Sequence, residues 1–146
     1  MPDYRIFDHT ADLGIEWEAR SLAGLFEKGA AALADLVAGA EGASGAPASR
    51  AIAVEGFDLP DLLVHFLQEL RFAFETKREL LGTARIERLD PGSPGKGASL
   101  LARASGRVFD PSRDRAATII KAVTYHRLEV AQTPGGAWHA RVVFDL

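Results

Sequence analysis

Two carboxylates, an imidazole and a hydroxyl stand together in Asp8-His9-Thr10-Ala11-Asp12, between the apolar start Tyr4 to Phe7 and the alternating run Leu13, Ile15, Trp17. Near the other end a further carboxylate, Asp145, sits in Val142-Val143-Phe144-Asp145-Leu146. The expectation is that folding brings Asp12 and Asp145 together as a site for a hard cation. Two carboxylates about 4 Å apart repel by roughly 4 kcal/mol at the effective dielectric near a protein surface. A shared proton or a divalent cation removes that repulsion. Carboxylate, carbonyl and water ligands favour calcium, magnesium or manganese over zinc. An oxygen of Leu146 would add a hard donor, and His9 would extend the set towards manganese.

Each of these residues also has a plainer use. Asp8 or Asp12 can close a side-chain turn on its own backbone, and Asp145 can simply be solvated. His9 and His126 more often satisfy a backbone carbonyl, while His65 and His139 are expected on exposed faces. Lys121 is less ordinary, because a lysine inside Thr118-Ile119-Ile120-Lys121-Ala122-Val123 must reach water, pair with an acid or face a partner.

The elements that must position these groups follow from periodicity. Leu13, Ile15, Trp17 and Ala19 alternate with Glu16 and Glu18, the pattern of a half-buried strand. Gly14 within it marks a bulge or a close backbone approach. Ser21 is placed to cap a helix with Leu22, Leu25, Phe26, Leu33 and Leu36 at helical spacing. Residues 38–50 are small and aperiodic and read as a flexible connector. A short strand, Ala51 to Glu55, precedes a second helix capped by Asp58 with Pro60 in its first turn. Leu81 to Leu89 and Leu100 to Val108 read as strands around a hairpin loop at 90–97, whose glycines are too closely spaced for a phosphate loop. The β-branched run from Thr118 leads towards Val130. A last hairpin at Pro134-Gly135-Gly136 feeds Trp138, Ala140, Val142 and Phe144 on one face, with His139, Arg141 and Asp145 on the other. The fold class is α+β: one domain over 1–146, with two helices and a mixed or antiparallel sheet of about six to seven strands.

Composition limits the function. At 146 residues the chain is the size of one domain, and with no cysteine it holds no disulfide, zinc-thiolate site or catalytic thiol. A net charge of −3 argues against a stand-alone nucleic-acid binder. The charge is nonetheless segregated, with acids near the start and Arg103, Arg107, Arg113, Arg115, Lys121 and Arg127 towards the end. No long apolar run indicates a membrane span, and the opening Met1-Pro2-Asp3-Tyr4 lacks an export signal, so a cytoplasmic location is expected. There is no Gly-x-Ser-x-Gly elbow, no His-Glu-x-x-His and no dinucleotide glycine motif.

Three stretches together carry a family resemblance: Phe7-Asp8-His9-Thr10-Ala11-Asp12-Leu13-Gly14, Lys121-Ala122-Val123-Thr124-Tyr125-His126-Arg127-Leu128-Glu129-Val130, and Trp138 to Leu146. In order and spacing they resemble the archease family, over nearly the whole chain. The resemblance implies a small α+β accessory protein of the RtcB-type RNA ligase, the manganese- and GTP-dependent enzyme of tRNA splicing and RNA repair. It implies promotion of ligase guanylylation and repeated turnover, with no catalysis by the accessory protein itself. Carried over by motif, Asp12, Asp145 and an oxygen of Leu146 hold the cation, with calcium expected in isolation and manganese or magnesium as alternatives. The family commonly ends in Ile where Leu146 stands, a change to which a main-chain oxygen is indifferent. Lys121 becomes a partner or nucleotide contact, and His9 and His126 support the ligands from behind. RNA is reached through the ligase, and no oligomeric state is implied. Two other readings use the same residues: a chaperone-like modulator of a tRNA-modifying methyltransferase, and a metal-dependent phosphoesterase in which the carboxylates activate water.

Overall fold

Ser21 and Asp58 start the two helices as their side chains predict. Both lie in extended backbone; Ser21 Oγ accepts the Gly24 N–H at 3.0 Å and Asp58 Oδ1 the Asp61 N–H at 3.0 Å, so each satisfies a donor of the first turn. These caps open α1 (Leu22–Ala38) and α2 (Leu59–Lys77) in a computed structural model that describes residues 2–9 and 11–146, the side chains of Asp8 and His9 excepted. Helix α2 stops where Arg78 turns left-handed at φ 56°. Its apolar stripe of Leu62, Leu63, Phe66, Leu67 and Leu70, three and four residues apart, is buried.

The strands are β1 (Arg5–His9), β2 (Asp12–Ala19), β3 (Pro47–Gly56), β4 (Glu79–Asp90), β5 (Ala98–Val108), β6 (Ala122–Val123), β7 (Glu129–Gln132) and β8 (Trp138–Asp145). The α+β class and the two helices are as expected. Among the described residues the strands number eight and divide into two antiparallel sheets: β1-β2-β8-β6 with β7 also on β8, and β3-β5-β4. Both helices touch both sheets, forming a layer between them with one continuous apolar core. Leu13, Ile15 and Trp17 on β2 and Val142 and Phe144 on β8 face inward, and Trp17 donates its indole N–H to the Leu25 carbonyl at 2.8 Å.

Two segments depart from periodicity. The connector is shorter than 38–50, because Pro47 to Arg50 join β3 and pair with Ala104 to Arg107. Thr118 to Lys121 do not form strand despite their β-branched side chains. The Ala117 N–H instead bonds the Val37 carbonyl at the end of α1, Ile120 is buried and Ile119 is 76% exposed. Packing against α1 thus overrides local β preference, and only Ala122 and Val123 reach the sheet.

Gly14 makes the close approach its position suggested. The β1–β2 register slips between Ile6 and Asp8, and the Phe7 ring lies flat across Gly14, where a Cβ would meet a ring carbon at 2.3 Å. Arg127 and Arg141 place their guanidinium groups 4.8 and 5.8 Å from the centre of that ring. Gly14→Ala is therefore expected to lower stability by about 1–3 kcal/mol through overpacking. Chemical denaturation of the two single variants and of Gly14→Ala/Phe7→Ala should show a coupling that recovers most of this loss. Additive effects would mean that the ring and Gly14 are independent.

Candidate metal centre

The ladder between β2 and β8 brings the two ends of the chain together. Asp12 pairs directly with Asp145, and the next rung, Leu13 with Phe144, is buried on the core side. Directly opposed residues share a face, with Cβ atoms about 5 Å apart, so both carboxylates project from the outer face. Asp12 is half-buried and Asp145 exposed. On the far side of β8, Asp145 pairs with Ala122, and its carbonyl accepts the Lys121 N–H at 2.8 Å. The Leu146 N–H donates to the Ala11 carbonyl at 3.3 Å. The main chain at 145–146 is thereby held between β2 and the segment entering β6. Asp12 and Asp145 are neighbours, as the sequence led one to expect, with Leu146 next in the chain; the Lys121 backbone beside Asp145 is an addition from the structure.

His126 is exposed and follows β6, and its backbone N–H bonds Thr124 Oγ1 at 3.3 Å. The imidazole of His9, and Thr10, lie outside the described residues, although the His9 backbone pairs with Leu13. Lys121 is exposed and, among the described residues, forms no ion pair.

The outer face of this sheet compensates its acids unequally. The hydrogen bond from Arg5 lowers the Glu16 carboxyl against the opposing effect of desolvation, and the charges of Arg5, His139 and Arg141 add to the lowering. His139 is not simply exposed: it is half-buried, with Nδ1 2.9 Å from Glu129 Oε1. Asp12 and Asp145 have no cationic side chain within ion-pair distance among the described residues. Like charges on one rung are destabilising, and a hard cation fits this oxygen pair better than zinc does. Among the described residues no cluster of three or more His, Cys, Asp or Glu side chains could hold a metal. Leu146, which follows Asp145 and is held to Ala11 through its N–H, offers main-chain oxygens as further hard donors.

A second polar cluster escaped the sequence reading. Asp61 is the one buried charged side chain among the described residues. Its Oδ2 accepts the Phe57 N–H at 2.9 Å and its Oδ1 the Tyr125 hydroxyl at 2.6 Å. His65, on the next turn, has Nε2 3.4 Å from Asp61 Oδ1 and Nδ1 2.5 Å from the Glu55 carbonyl. Desolvation pushes the Asp61 carboxyl up, but the Tyr125 and Phe57 hydrogen bonds and the charge of His65 together pull it below the usual range. The partner effect appears on Tyr125, whose phenol is pushed up to about 12 by its hydrogen bond to Asp61, by desolvation and by the charges of Asp61 and Asp58. This contact ties the segment after β6 to the start of α2, and so steadies the strand that clamps Asp145. The Asp58-x-x-Asp61 spacing, a relative of the capping box, was the local signal; the Tyr125 contact had none.

The chain matches the model of the Archease protein family (MTH1598/TM1083) over residues 4–146. It is 32% identical to the protein archease of Pyrococcus abyssi and 33% identical to that of Pyrococcus furiosus, covering 100% of both chains in each case. The protein archease of Methanosarcina mazei is 34% identical over 98% of this chain and 95% of its own. Among solved structures, the fold is similar to that of Methanobacterium thermoautotrophicum protein 1598, with a TM-score of 0.76, 28% identity and 100% of both chains covered. A Thermotoga maritima archease described as a possible chaperone shares the fold alone, with a TM-score of 0.57, 19% identity and coverage of 96% and 94%.

Tyr4 and Tyr125 are the protein's two tyrosines. Tyr4 is also pushed up to about 12, by desolvation and by its 2.7 Å hydrogen bond to Asp35. Ultraviolet titration of the folded protein should consequently show no tyrosinate step near pH 10. A folded-state value above the unfolded one contributes stability that is complete below pH 10 and lost as pH rises towards 12. Tyr125→Phe should reduce that alkaline loss. A phenol of the native protein titrating near 10 would show that one of these hydrogen bonds is absent.

Proposed function

The chain belongs to the Archease protein family, and from that premise we propose that it is a metal-binding accessory factor of an RtcB-type, GTP-dependent RNA ligase. The observation that carries the reading is the Asp12–Asp145 rung: two hard carboxylates, without an ion-pair partner among the described residues, on the outer face at one end of a sheet. Asp12 and Asp145 would hold a divalent cation with an oxygen of Leu146. Calcium is the expected occupant in isolation, and manganese or magnesium in the ligase complex. When bound, the cation supplies positive charge able to organise phosphate oxygens at the ligase centre. The protein's own contribution is placement. Pairing with β2 and the Lys121 and Leu146 amide bonds hold the carboxylates in position, and exposed Lys121 is available to a phosphate or to the ligase. His9 and His126 would act from behind the ligands. No group here is proposed as a general base, and the role is activation of guanylylation and repeated turnover in tRNA splicing or RNA repair. A cytoplasmic setting suits that role, and no helix among the described residues is long and apolar enough to cross a membrane.

Asp12→Ala and Asp145→Ala should each abolish stimulation in a multiple-turnover ligation assay at fixed manganese, with secondary structure unchanged. A cation bound only by the folded form stabilises by about 2.7 kcal/mol at a hundredfold excess over its Kd. Thermal melts should therefore rise with added calcium or manganese for the wild type and not for either variant. Multiple turnover supported by both variants would defeat the proposal. Co-purification with a tRNA methyltransferase and no ligase would favour the chaperone reading instead.

A further inference from the structure

On the opposite side of the helical layer, the solvent face of the three-stranded sheet is assembled from rows that the register defines. Ala51, Arg103 and Arg85 form one row, and Ala53, Leu101 and Arg88 the next. Ser49, Ser105 and Thr83 lie on the other side of the central row, with Arg107 opposite Pro47 beyond them. Arg88 reaches this face because the register shifts between Ile86 and Arg88; without that bulge it would point towards the core.

The arrangement is electrostatically unfavourable for the protein alone. Arg85 and Arg103 are directly opposed, and like charges so placed destabilise a sheet. Among the described residues Arg85 has one ion-pair partner, Glu87 at 3.9 Å, and Arg107 donates to the Gly45 carbonyl at 2.9 Å. Arg88 and Arg103 form no ion pair among the described residues. Apart from Glu87 at the bulge between Arg85 and Arg88, the acids Glu55 and Asp90 lie together in the row at one end.

We infer that this face binds the phosphate backbone of RNA. The guanidinium groups form a line, not a point: Arg103 and Arg107 are about 13 Å apart along β5, and neighbouring strands are about 4.8 Å apart. A linear polyanion matches such a row, and guanidinium forks suit phosphate oxygens. Small side chains between the arginines allow close approach. The absence of aromatic residues from these rows removes base stacking and makes the contact independent of sequence. The choice of RNA over DNA rests on the proposed ligase partnership; the phosphate chemistry does not. An RNA held here lies on the opposite side of the helical layer from Asp12 and Asp145. The charge of −3 is thus a sum over unlike faces, and binding by the protein alone is expected to be weak and salt-sensitive.

The test is fluorescence anisotropy of a labelled, mixed-sequence single-stranded RNA with the purified full chain, without ligase, from about 50 mM salt upwards. Four phosphate contacts predict a slope of log affinity against log salt of about −3. Arg103→Glu should weaken binding about fivefold, make the slope shallower by about one and raise the melting temperature by relieving the Arg85 repulsion. Arg85→Glu should do the same, whereas Arg20→Glu, with equal net charge, should change neither affinity nor slope. No salt-dependent binding, or equal losses from Arg103→Glu and Arg20→Glu, would overturn the inference. So would competition by polyglutamate as effective as competition by unlabelled RNA, the result expected of a face for acidic proteins. Because no ligase is present, failure here leaves the ligase assay to stand or fall separately.

Discussion

The pairing of β2 with β8 is the constraint on which the rest of the structure depends. Its eight rungs run from Asp12 with Asp145 to Ala19 with Trp138, and pleating assigns every side chain along them. One face carries Leu13, Ile15, Trp17, Val142 and Phe144 into the core; the other carries the carboxylates. A slip of β8 by one residue would bury Asp145 and expose Phe144, which makes the register costly to change. The geometry of the proposed cation site is therefore enforced by hydrophobic burial on the opposite face, and the repulsion of two acids is held in place by the core.

Much of this was legible because it is local or periodic. Ser21 and Asp58 announce the helices through their own hydrogen bonds, Gly14 announces a close approach, and the alternation through Trp138 to Phe144 assigns Asp145 to the outer face. The features that were not legible depend on distant partners. Ile119 and Ile120 have strand chemistry but lie beside α1, and Tyr125 meets Asp61 only because α2 begins beside the segment following β6. The arginine face required two register shifts in β4, which no alternation rule anticipates. The family resemblance supplied the partner and the ligand roles, which spacing alone could not.

The molecule presents chemically unlike surfaces on either side of its helical layer. One sheet ends in carboxylates with Lys121 beside them; the other displays arginines among small residues. Burial of apolar area between the sheets separates these faces, so their charges do not neutralise one another despite the modest net value. Acidic and basic chemistry can then serve separate contacts within one small domain.

Asp12 and Asp145 are 133 residues apart along the chain. Contacts so distant form only after the loop between them has closed. A partly folded molecule with α1, α2 and the β3-β5-β4 sheet made, but with β8 unpaired, does not present the carboxylate rung. Completion of that rung thus reports closure of the longest-range strand pairing in the fold, and a partner requiring it would pass over incompletely folded copies.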